Sequence, residues 1–411
     1  MQHRLSRMHP APAGRVRVVH FSSTHLADDA RIFAKECVGL ARAGYEVSYV
    51  IPDNRYRSAD GRPTRRQEVD IVAVKRRSGL LPRLLGTTAS VLRASLKQRA
   101  DVYHFHDPEL IPAGLLLRLL GKRTVYDVHE DLPRDIVTRA WIPRALRRPL
   151  AAVAEGVEWL AGRTMSGVVA ATPVIARRFP PARTALVQNF ALFNEFTGEG
   201  APPFAERRGV AFVGSITADR CTAEMVDAMG LAAEGHGARL LLAGNIESAA
   251  LRARMEASPG WPRVDFRGRL DRAGVQRLLG ESRVGVALYY PTQNYFDTQP
   301  VKLFEYMAAG IPVITVDFPY HRGIVEQNRC GLCVPPCDPA AIAAAIDWMF
   351  ANPEEAEAMG RRGREVVKTL YNWANEEREL MKLYDRIAPL DGRAAVRPAG
   401  LVGEGTGESP L

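Results

Sequence analysis

One stretch of the sequence, NYFDTQPVKLFEYMAAGIPVITV at residues 294–316, constrains the fold more than any other. Its residue types predict a polar loop over 294–299 and then a helix with Pro300 in its first position, where the missing N–H of proline costs nothing. Apolar residues recur at helical spacing until Gly310, which ends the helix, and residues 313–316 are typical of a buried parallel strand. This order of elements predicts an α/β fold with a parallel sheet.

The beginning of this helix is the first candidate binding site. Unpaired backbone N–H groups and the positive end of the helix dipole favour an anion there. Asp297 in the preceding loop and Glu305 in the second turn place two carboxylates around it. We therefore predict a phosphate on the amides, with sugar hydroxyls bound to the carboxylates. An ordinary amphipathic helix is the alternative.

The segment PVKLFEYMAAGIPVI resembles the nucleotide-sugar signature of the GT-B glycosyltransferases, in particular the retaining family 4 group, and a variant seen in bacterial surface-polysaccharide transferases. Two positions depart from that pattern: Asp297 stands where Glu is usual, and Tyr306 where Ala is usual. The resemblance implies an α/β fold with two Rossmann-like, doubly wound domains facing a central cleft and a C-terminal helix that crosses back to the N-terminal domain. No G-x-G-x-x-G follows the first predicted strand, which counts against a dinucleotide oxidoreductase.

The length of 411 residues suits two domains, each able to bury its own core. A polar segment with Gly and Pro separates two series of alternating strands and helices. The predicted divisions are a disordered N-terminus at 1–14, an acceptor-binding domain at 15–190, a linker at 191–208, a nucleotide-sugar-binding domain at 209–370, a crossover helix at 371–388 and a disordered tail at 389–411.

Charge is spread unevenly along the chain. Residues 1–190 carry 31 Lys and Arg against 17 Asp and Glu, whereas the net charge of the whole chain is +9. A basic first half suggests an anionic partner surface, and the basic segment 134–148, which includes Trp141, suits contact with a membrane interface. Neither a signal peptide nor an apolar run long enough to span a bilayer is recognisable. We expect a cytoplasmic protein, peripheral on the cytoplasmic face of the membrane, with no nucleic-acid partner.

The five cysteines are too sparse for a disulfide framework. Cys330, Cys333 and Cys337 have gaps that resemble those of metal sites, yet no fourth ligand accompanies them at a recognisable spacing, and structural zinc sites normally have four protein ligands. Packing around a turn is therefore favoured over metal binding.

Polar residues of the first half cluster where predicted strands end, which is the edge at which open α/β sheets bind ligands. By the resemblance, DVYHFHDPEL and VYDVHEDLP line the cleft, and His106 matches the histidine placed near the donor sugar. The residues expected on the acceptor side are His25, Asp28, Arg31, His129 and Glu130. A hydrolase metal site formed by His104, His106 and Asp107 together with Asp127 and His129 is the alternative, because His104 and His106 share one strand face.

The resemblance places the donor in the second half of the chain. It implies that Glu305 binds the ribose hydroxyls, that Asp297 binds the sugar hydroxyls, and that Arg220 holds the diphosphate, which a guanidinium can bind bidentately. Cys221 follows Arg220 where similar proteins have Gly, which leaves the geometry of this loop open. The other expected donor-binding residues are Thr298, Gln299, Lys302, Gly214 and Asn245.

These features predict a glycosyltransferase that moves a hexose from a nucleotide-diphosphate sugar to an acceptor hydroxyl, with retention implied by the resemblance. The predicted catalytic residues are His106, Asp297 and Arg220. Positive charge around the departing diphosphate stabilises the transition state, so no cofactor and no metal are expected. The acceptor is expected to be a sugar or a lipid-linked molecule, in cell-surface polysaccharide or glycolipid biosynthesis. A nucleotide-sugar 2-epimerase of the same fold and a non-catalytic sugar-nucleotide-binding protein are the alternatives.

Overall fold

The computed structural model describes residues 16–57, 62–77, 79, 82–139, 141–196, 198, 200–296 and 298–390. The chain divides into two compact units, one formed by Met1–Val187 with Glu377–Leu411 and the other by Gln188–Glu376. Each unit has one sheet with helices, so the predicted fold class of two doubly wound α/β domains is confirmed. The predicted disordered ends, 1–14 and 391–411 of the tail, lie outside the described residues.

The sheet of the first unit has eight strands in the order β3-β4-β2-β1-β5-β6-β7-β8. All neighbours are parallel except β3 and β4, which pair antiparallel at the edge. The strands are β1 (Arg17–Phe21), β2 (Glu46–Ile51), β3 (Thr64–Arg66), β4 (Val69–Ala73), β5 (Val102–Phe105), β6 (Arg123–Val128), β7 (Gly167–Ala170) and β8 (Thr184–Leu186).

Helices follow most strands of the first unit, and two of them begin with a π-helical turn, at Ile32–Cys37 and Pro82–Thr87. The first of these is capped by Asp29, whose Oδ1 accepts from the backbone N–H of Arg31 (2.9 Å) and of Ile32 (2.8 Å). The helices are α1 (Val38–Ala43), α2 (Thr88–Lys97), α3 (Ile111–Leu119), α4 (Leu132–Thr138), α5 (Arg144–Thr164) and α6 (Pro173–Ala176).

The sheet of the second unit has six parallel strands in the order β11-β10-β9-β12-β13-β14. They are β9 (Gly209–Val213), β10 (Arg239–Ala243), β11 (Val264–Gly268), β12 (Ser282–Ala287), β13 (Val313–Val316) and β14 (Gly331–Val334). The helices are α7 (Thr222–Leu231), α8 (Ala249–Glu256), α9 (Arg272–Glu281), α10 (Gln293–Phe296), α11 (Val301–Ala308), α12 (Pro319–Gln327), α13 (Pro339–Ala351), α14 (Pro353–Thr369) and α15 (Trp373–Ile387).

The strand order reverses beside β1 in the first sheet and beside β9 in the second. Doubly wound sheets bind ligands at this point, outside the carboxyl ends of the strands. Helix α15 begins in the second unit, and from Glu377 onward its residues belong to the first unit. None of the helices among the described residues has the length and apolar character needed to cross a membrane.

The structure corrects two local predictions. Residues 293–296 form the short helix α10, where a polar loop was predicted. Pro300 lies at the N-cap of α11 with φ −77° and ψ 114°, one position before the first helical residue. The three cysteines predicted to pack around a turn lie on either side of strand β14 and within it: Cys330 is buried before the strand, Cys333 belongs to it, and Cys337 lies in the turn that follows.

Candidate active site

The loop after β9 brings two positive charges together. Gly214 has φ 129°, a conformation that favours glycine, and its N–H donates to the carbonyl of Ala243 (2.9 Å). A Cβ on Gly214 would lie 3.4 Å from Arg220 Nη1 and 3.5 Å from Lys302 Nζ. The glycine therefore leaves room in which a ligand can approach the backbone and both cations.

Lys302 is a buried cation in the first turn of α11. Its Nζ lies 3.8 Å from the ring centroid of Phe212 and has no hydrogen-bond partner among the described residues. Burial, together with the positive charge of Arg220, lowers the pKa of Lys302 well below its ordinary value. The carboxylates of Glu305 and Asp219 oppose this shift without overcoming it, and no described group accepts a hydrogen bond from the Lys302 ammonium. A buried ammonium without an acceptor is unfavourable.

Two more groups near the beginning of α11 lack partners. Arg220 Nη1 donates to the carbonyl of Ser215 (3.1 Å), but its Nε is buried without a hydrogen bond in the part of the chain that the structure describes. Both side-chain amide atoms of Gln299 are likewise buried and unpartnered. Such groups are normally satisfied, and an oxygen-rich anion would satisfy the nitrogens of Arg220, Gln299 and Lys302.

Cys221 resolves the loop geometry that the sequence left open. The residue adopts φ 50°, in the left-handed region where glycine is usual, and its Sγ lies 3.6 Å from Cys337 Sγ. The carboxylate of Asp219 accepts from the hydroxyls of Thr217 and Tyr295. The turn that carries Arg220 is therefore fixed from several sides without a glycine after it.

Tyr306 explains the second departure from the family signature. Its hydroxyl oxygen accepts from the backbone N–H of Val213 (3.1 Å), the last residue of β9 before Gly214. The ring fits only because β12 has Gly285 opposite it, where a Cβ would lie 2.3 Å away. Tyr306 thus holds the end of β9, a role that cannot be recognised from its neighbours in the sequence because it depends on Gly285, 21 positions away.

Glu305 already has a partner within the second unit. Arg272 Nη1 donates to its Oε1 (2.8 Å), and Arg272 also pairs with Glu195. No local sequence signal marks Arg272. Of the other predicted donor residues, Thr298 is half-buried, the side chain of Asn245 is exposed, and Asp297 lies outside the described residues.

A buried aspartate organises the polar residues of the first unit. Asp127, in β6, accepts from Arg31 Nη2 (3.1 Å), His106 Nδ1 (3.0 Å) and His129 Nε2 (2.8 Å). Burial acts to raise the pKa of Asp127, but the charges of Arg31 and His129 outweigh it and hold the pKa well below the ordinary value. Arg31 is itself buried and also donates to the carbonyl of Val187 (2.8 Å), so it supports this network from inside.

His106 has protein partners at both ring nitrogens. Because Nδ1 donates to Asp127, Nε2 is the acceptor, and it lies 3.0 Å from His20 Nδ1. Its side chain is fully buried, whereas that of His129 is 18% exposed. Three further residues were predicted on the acceptor side. His25 is half-buried and hydrogen-bonds Asp29, whereas Asp28 is exposed and forms ion pairs with Arg55 and Arg66. Glu130 is also exposed.

Two sets of residues could hold a metal by their spacing alone: His20, Glu36, His104 and His106, and His106, Asp127 and His129. In each set a carboxylate already pairs with Arg31, whose Nε lies 3.1 Å from Glu36 and whose Nη2 lies 3.1 Å from Asp127. A fixed positive charge at that distance opposes a metal cation. Among the described residues, no such set includes a cysteine.

We expect the buried histidines to make the first unit less stable in acid. Burial, followed by neighbouring imidazoles, lowers the pKa of His20 and His104 well below the ordinary value. A group with a depressed folded-state pKa contributes stability above its unfolded pKa, about 6.5 for His, and that stability is lost as pH falls further. Below about pH 6.5 the unfolding free energy of the wild type should therefore fall as the pH falls. In His20→Phe we expect this slope to be smaller by up to about 1.4 kcal/mol per pH unit.

Urea unfolding at several pH values between about 5 and 7.5 measures this slope. The matched control is Tyr384→Phe, which removes the hydroxyl 2.9 Å from His104 Nδ1 but keeps every imidazole. It is expected to lower stability at each pH without changing the slope. An unchanged slope in His20→Phe would show that His20 is charged in the folded protein.

Two family models match the chain, and together they span most of it. "Glycosyl transferase 4-like domain" matches residues 30–189, and "Glycosyl transferases group 1" matches residues 200–366. Among curated proteins, D-rhamnosyltransferase WbpZ from Pseudomonas aeruginosa is 28% identical over 116 residues, which are 28% of this chain and 30% of that protein. The chain spans about a third of the length of the curated relatives that it matches.

Solved structures match over nearly the whole chain. A sucrose-phosphate synthase from Thermosynechococcus elongatus is 20% identical, with 91% of this chain and 99% of that chain covered at a TM-score of 0.70. HepE from Anabaena, solved in complex with UDP-glucose, is 12% identical, with 90% and 99% covered at a TM-score of 0.66. At these identities the likeness shows the fold alone.

Proposed function

This chain belongs to the GT-B glycosyltransferases of the family 4 type, and we propose for it the transfer of a hexose from a nucleotide-diphosphate sugar to an acceptor hydroxyl, with retention of configuration. We place the reaction in the biosynthesis of a cell-surface polysaccharide or glycolipid, in the cytoplasm and at the cytoplasmic face of the membrane. The acceptor is a sugar or a lipid-linked molecule. Both matching family models describe transferases, so the epimerase alternative is not favoured.

The observation that carries the proposal is the group of unpartnered nitrogens around Gly214. Lys302 Nζ, Arg220 Nε and the Gln299 amide are buried without hydrogen-bond partners among the described residues. A diphosphate supplies the charge and the acceptor oxygens that these groups lack. The Anabaena protein of similar fold was solved with UDP-glucose, which supports a nucleotide sugar as the donor here.

The same groups would act in the chemical step. As the bond between the sugar and the diphosphate breaks, negative charge grows on the leaving oxygen. The side chains of Arg220 and Lys302 and the backbone N–H groups of Thr298 and Gln299 stabilise this charge. In the retaining course implied by the family, the leaving phosphate takes the acceptor proton on the same face of the sugar. No protein nucleophile and no metal take part. Asp297 binds the sugar hydroxyls in this proposal.

Substitution of Glu305 tests the proposal that the second unit binds the nucleotide-sugar donor. We propose that Glu305 binds the ribose hydroxyls while Arg272 fixes its carboxylate from the other side. Glu305→Ala is expected to weaken nucleotide binding and rate together, by roughly tenfold or more, because a hydrogen bond to a charged group is lost. His106→Ala is expected to lower mainly the rate, since His106 belongs to the other unit.

Nucleotide-induced shifts in melting temperature and initial rates of both variants provide the measurement, because a bound ligand raises the melting point by mass action. Glu365→Ala is a matched control, since this glutamate is exposed on α14. A Glu305→Ala enzyme that turned over like the parent would show that the carboxylate does not bind the donor.

A further inference from the structure

Two cysteines of the second unit meet at the beginning of helix α7. The Sγ atoms of Cys221 and Cys337 lie 3.6 Å apart, although the two residues are 116 positions apart in the chain. Cys221 is fully buried, whereas Cys337 is half-buried in the turn between β14 and α13. The two thiols are therefore in contact, and a disulfide would bring the sulfurs closer by about 1.5 Å.

The backbone of both cysteines has the left-handed conformation. The φ angles of Cys221 and Cys337 are 50° and 59°, and among the described residues they are two of the six other than glycine with positive φ. Cysteine is not favoured in this conformation, which glycine adopts at lower cost. Apolar packing is the ordinary role of a free cysteine, but it does not require two unfavourable backbone positions whose sulfurs meet. The pairing therefore indicates a chemical use for both thiols.

The pair joins two helices that already pack against each other, α7 and α13. Cys221 is the N-cap of α7, and Cys337 directly precedes Asp338, the N-cap of α13. Further along the same two helices, the backbone N–H of Ala233 donates to the carboxylate of Asp347 (2.9 Å). The fold thus holds the beginnings of α7 and α13 beside each other, and the sulfurs stay in contact without a covalent bond.

We propose that Cys221 and Cys337 are a site of reversible oxidation by hydroperoxides, which joins them in a disulfide directly after Arg220. Cys337 reacts first because it is the thiol that is partly open to solvent. Its thiolate sulfur attacks a peroxide oxygen and the O–O bond breaks. Cys337 becomes a sulfenic acid, and the leaving oxygen takes the thiol proton and departs as water or an alcohol. The sulfur of Cys221 then attacks that of Cys337, the S–O bond breaks, and water leaves with the second thiol proton.

Burial of the two thiols favours a small oxidant and slow chemistry. A hydroperoxide such as hydrogen peroxide can reach a half-buried sulfur that a bulkier oxidant cannot. Burial raises the pKa of both Cys221 and Cys337, so few thiolates form near neutral pH and the pair stays reduced until a peroxide is added. Reduction has to release the same buried thiolates, so reversal needs a strong dithiol. This proposal does not depend on the donor or on the reaction proposed above.

Peptide mapping after treatment with hydrogen peroxide tests the proposal. The full chain is reduced, freed of reductant, treated with hydrogen peroxide and then alkylated in urea with N-ethylmaleimide. We expect a cross-linked pair of peptides that contains Cys221 and Cys337 and that dithiothreitol separates, while the other three of the five cysteines remain unlinked. The oxidised wild type should also unfold at a urea concentration higher by roughly 1 M, because the disulfide closes a long loop.

The matched control is Cys333→Ser, which removes another half-buried thiol, in β14, and should leave the cross-link unchanged. Cys221→Gly and Cys337→Gly should each abolish it, and both should fold because glycine adopts the left-handed conformation readily. Hydrogen peroxide should raise the urea midpoint of neither glycine variant. The proposal fails if the wild type yields no cross-linked peptides or if Cys337 is joined to a cysteine other than Cys221. It also fails if Cys337 is oxidised to a sulfinic or sulfonic acid beside a free Cys221.

Discussion

Lys302→Met is expected to weaken the binding of nucleoside diphosphates by roughly 10–100-fold while leaving folding stability unchanged or raising it by about 1 kcal/mol. The two effects have opposite signs because the Lys302 ammonium is buried without a hydrogen-bond acceptor among the described residues. Methionine fills a similar volume without a charge, so the free protein is relieved of an unfavourable group. The ligand loses a charge-assisted hydrogen bond.

Binding should also depend on pH through this lysine. In the free protein, burial and Arg220 lower the pKa of Lys302, whereas a bound diphosphate favours its charged form. Binding therefore raises the pKa and takes up a proton, so affinity falls as pH rises through the pKa of the free protein. Lys302→Met should lose this component of the pH dependence.

Isothermal titration with UDP, GDP and ADP, together with urea unfolding, measures both effects. The control is Lys368→Met, which changes a 58% exposed lysine on α14 that lies 3.8 Å from Glu365. It should alter neither binding nor stability by more than about 0.5 kcal/mol. Equal binding by Lys302→Met and the wild type, or a marked loss of stability in that variant, would contradict the assignment.

Asp127→Ala should have the largest effect on stability, a loss of about 3–5 kcal/mol from the first unit. The substitution removes the shared acceptor of Arg31, His106 and His129 and leaves the Arg31 charge buried beside Glu36 alone. Because the folded-state pKa of Asp127 is depressed, its contribution is complete above the unfolded pKa of about 3.9 and is lost as pH falls through the lower folded value. Near neutral pH the full loss should therefore be observed.

Asp28→Ala is the control for this measurement, because Asp28 is 38% exposed in its ion pairs with Arg55 and Arg66. Exposed pairs are worth less than about 1 kcal/mol, so its urea midpoint should shift little. If Asp127→Ala unfolded at the same urea concentration as Asp28→Ala, the hydrogen bonds of Asp127 to Arg31, His106 and His129 would not stabilise the first unit as we expect.

Local patterns predicted the end of α11 at Gly310 and the strand after it, because a helix stop and an apolar strand are encoded within a few residues. The partnerships that give the sites their character were not predictable in this way. The ring of Tyr306 requires the space beside Gly285, and the carboxylate of Glu305 is bound by Arg272. Gly285 and Arg272 are distant in sequence from the residues that they contact.

Burial also gives individual residues roles that their sequence neighbours do not indicate. Arg31 was expected to face an acceptor, yet it lies inside the unit on Asp127, and nothing in its immediate neighbours signals that position.

The position of a bound diphosphate is the most direct test of the proposed donor site. A crystal structure of the complex with whichever nucleoside diphosphate binds most tightly in the titrations above gives the distances from its phosphate oxygens to the protein. We predict phosphate oxygens within about 3.2 Å of Lys302 Nζ and of the Arg220 guanidinium, beside Gly214. A diphosphate bound elsewhere, with Lys302 still unpartnered, would contradict the proposal.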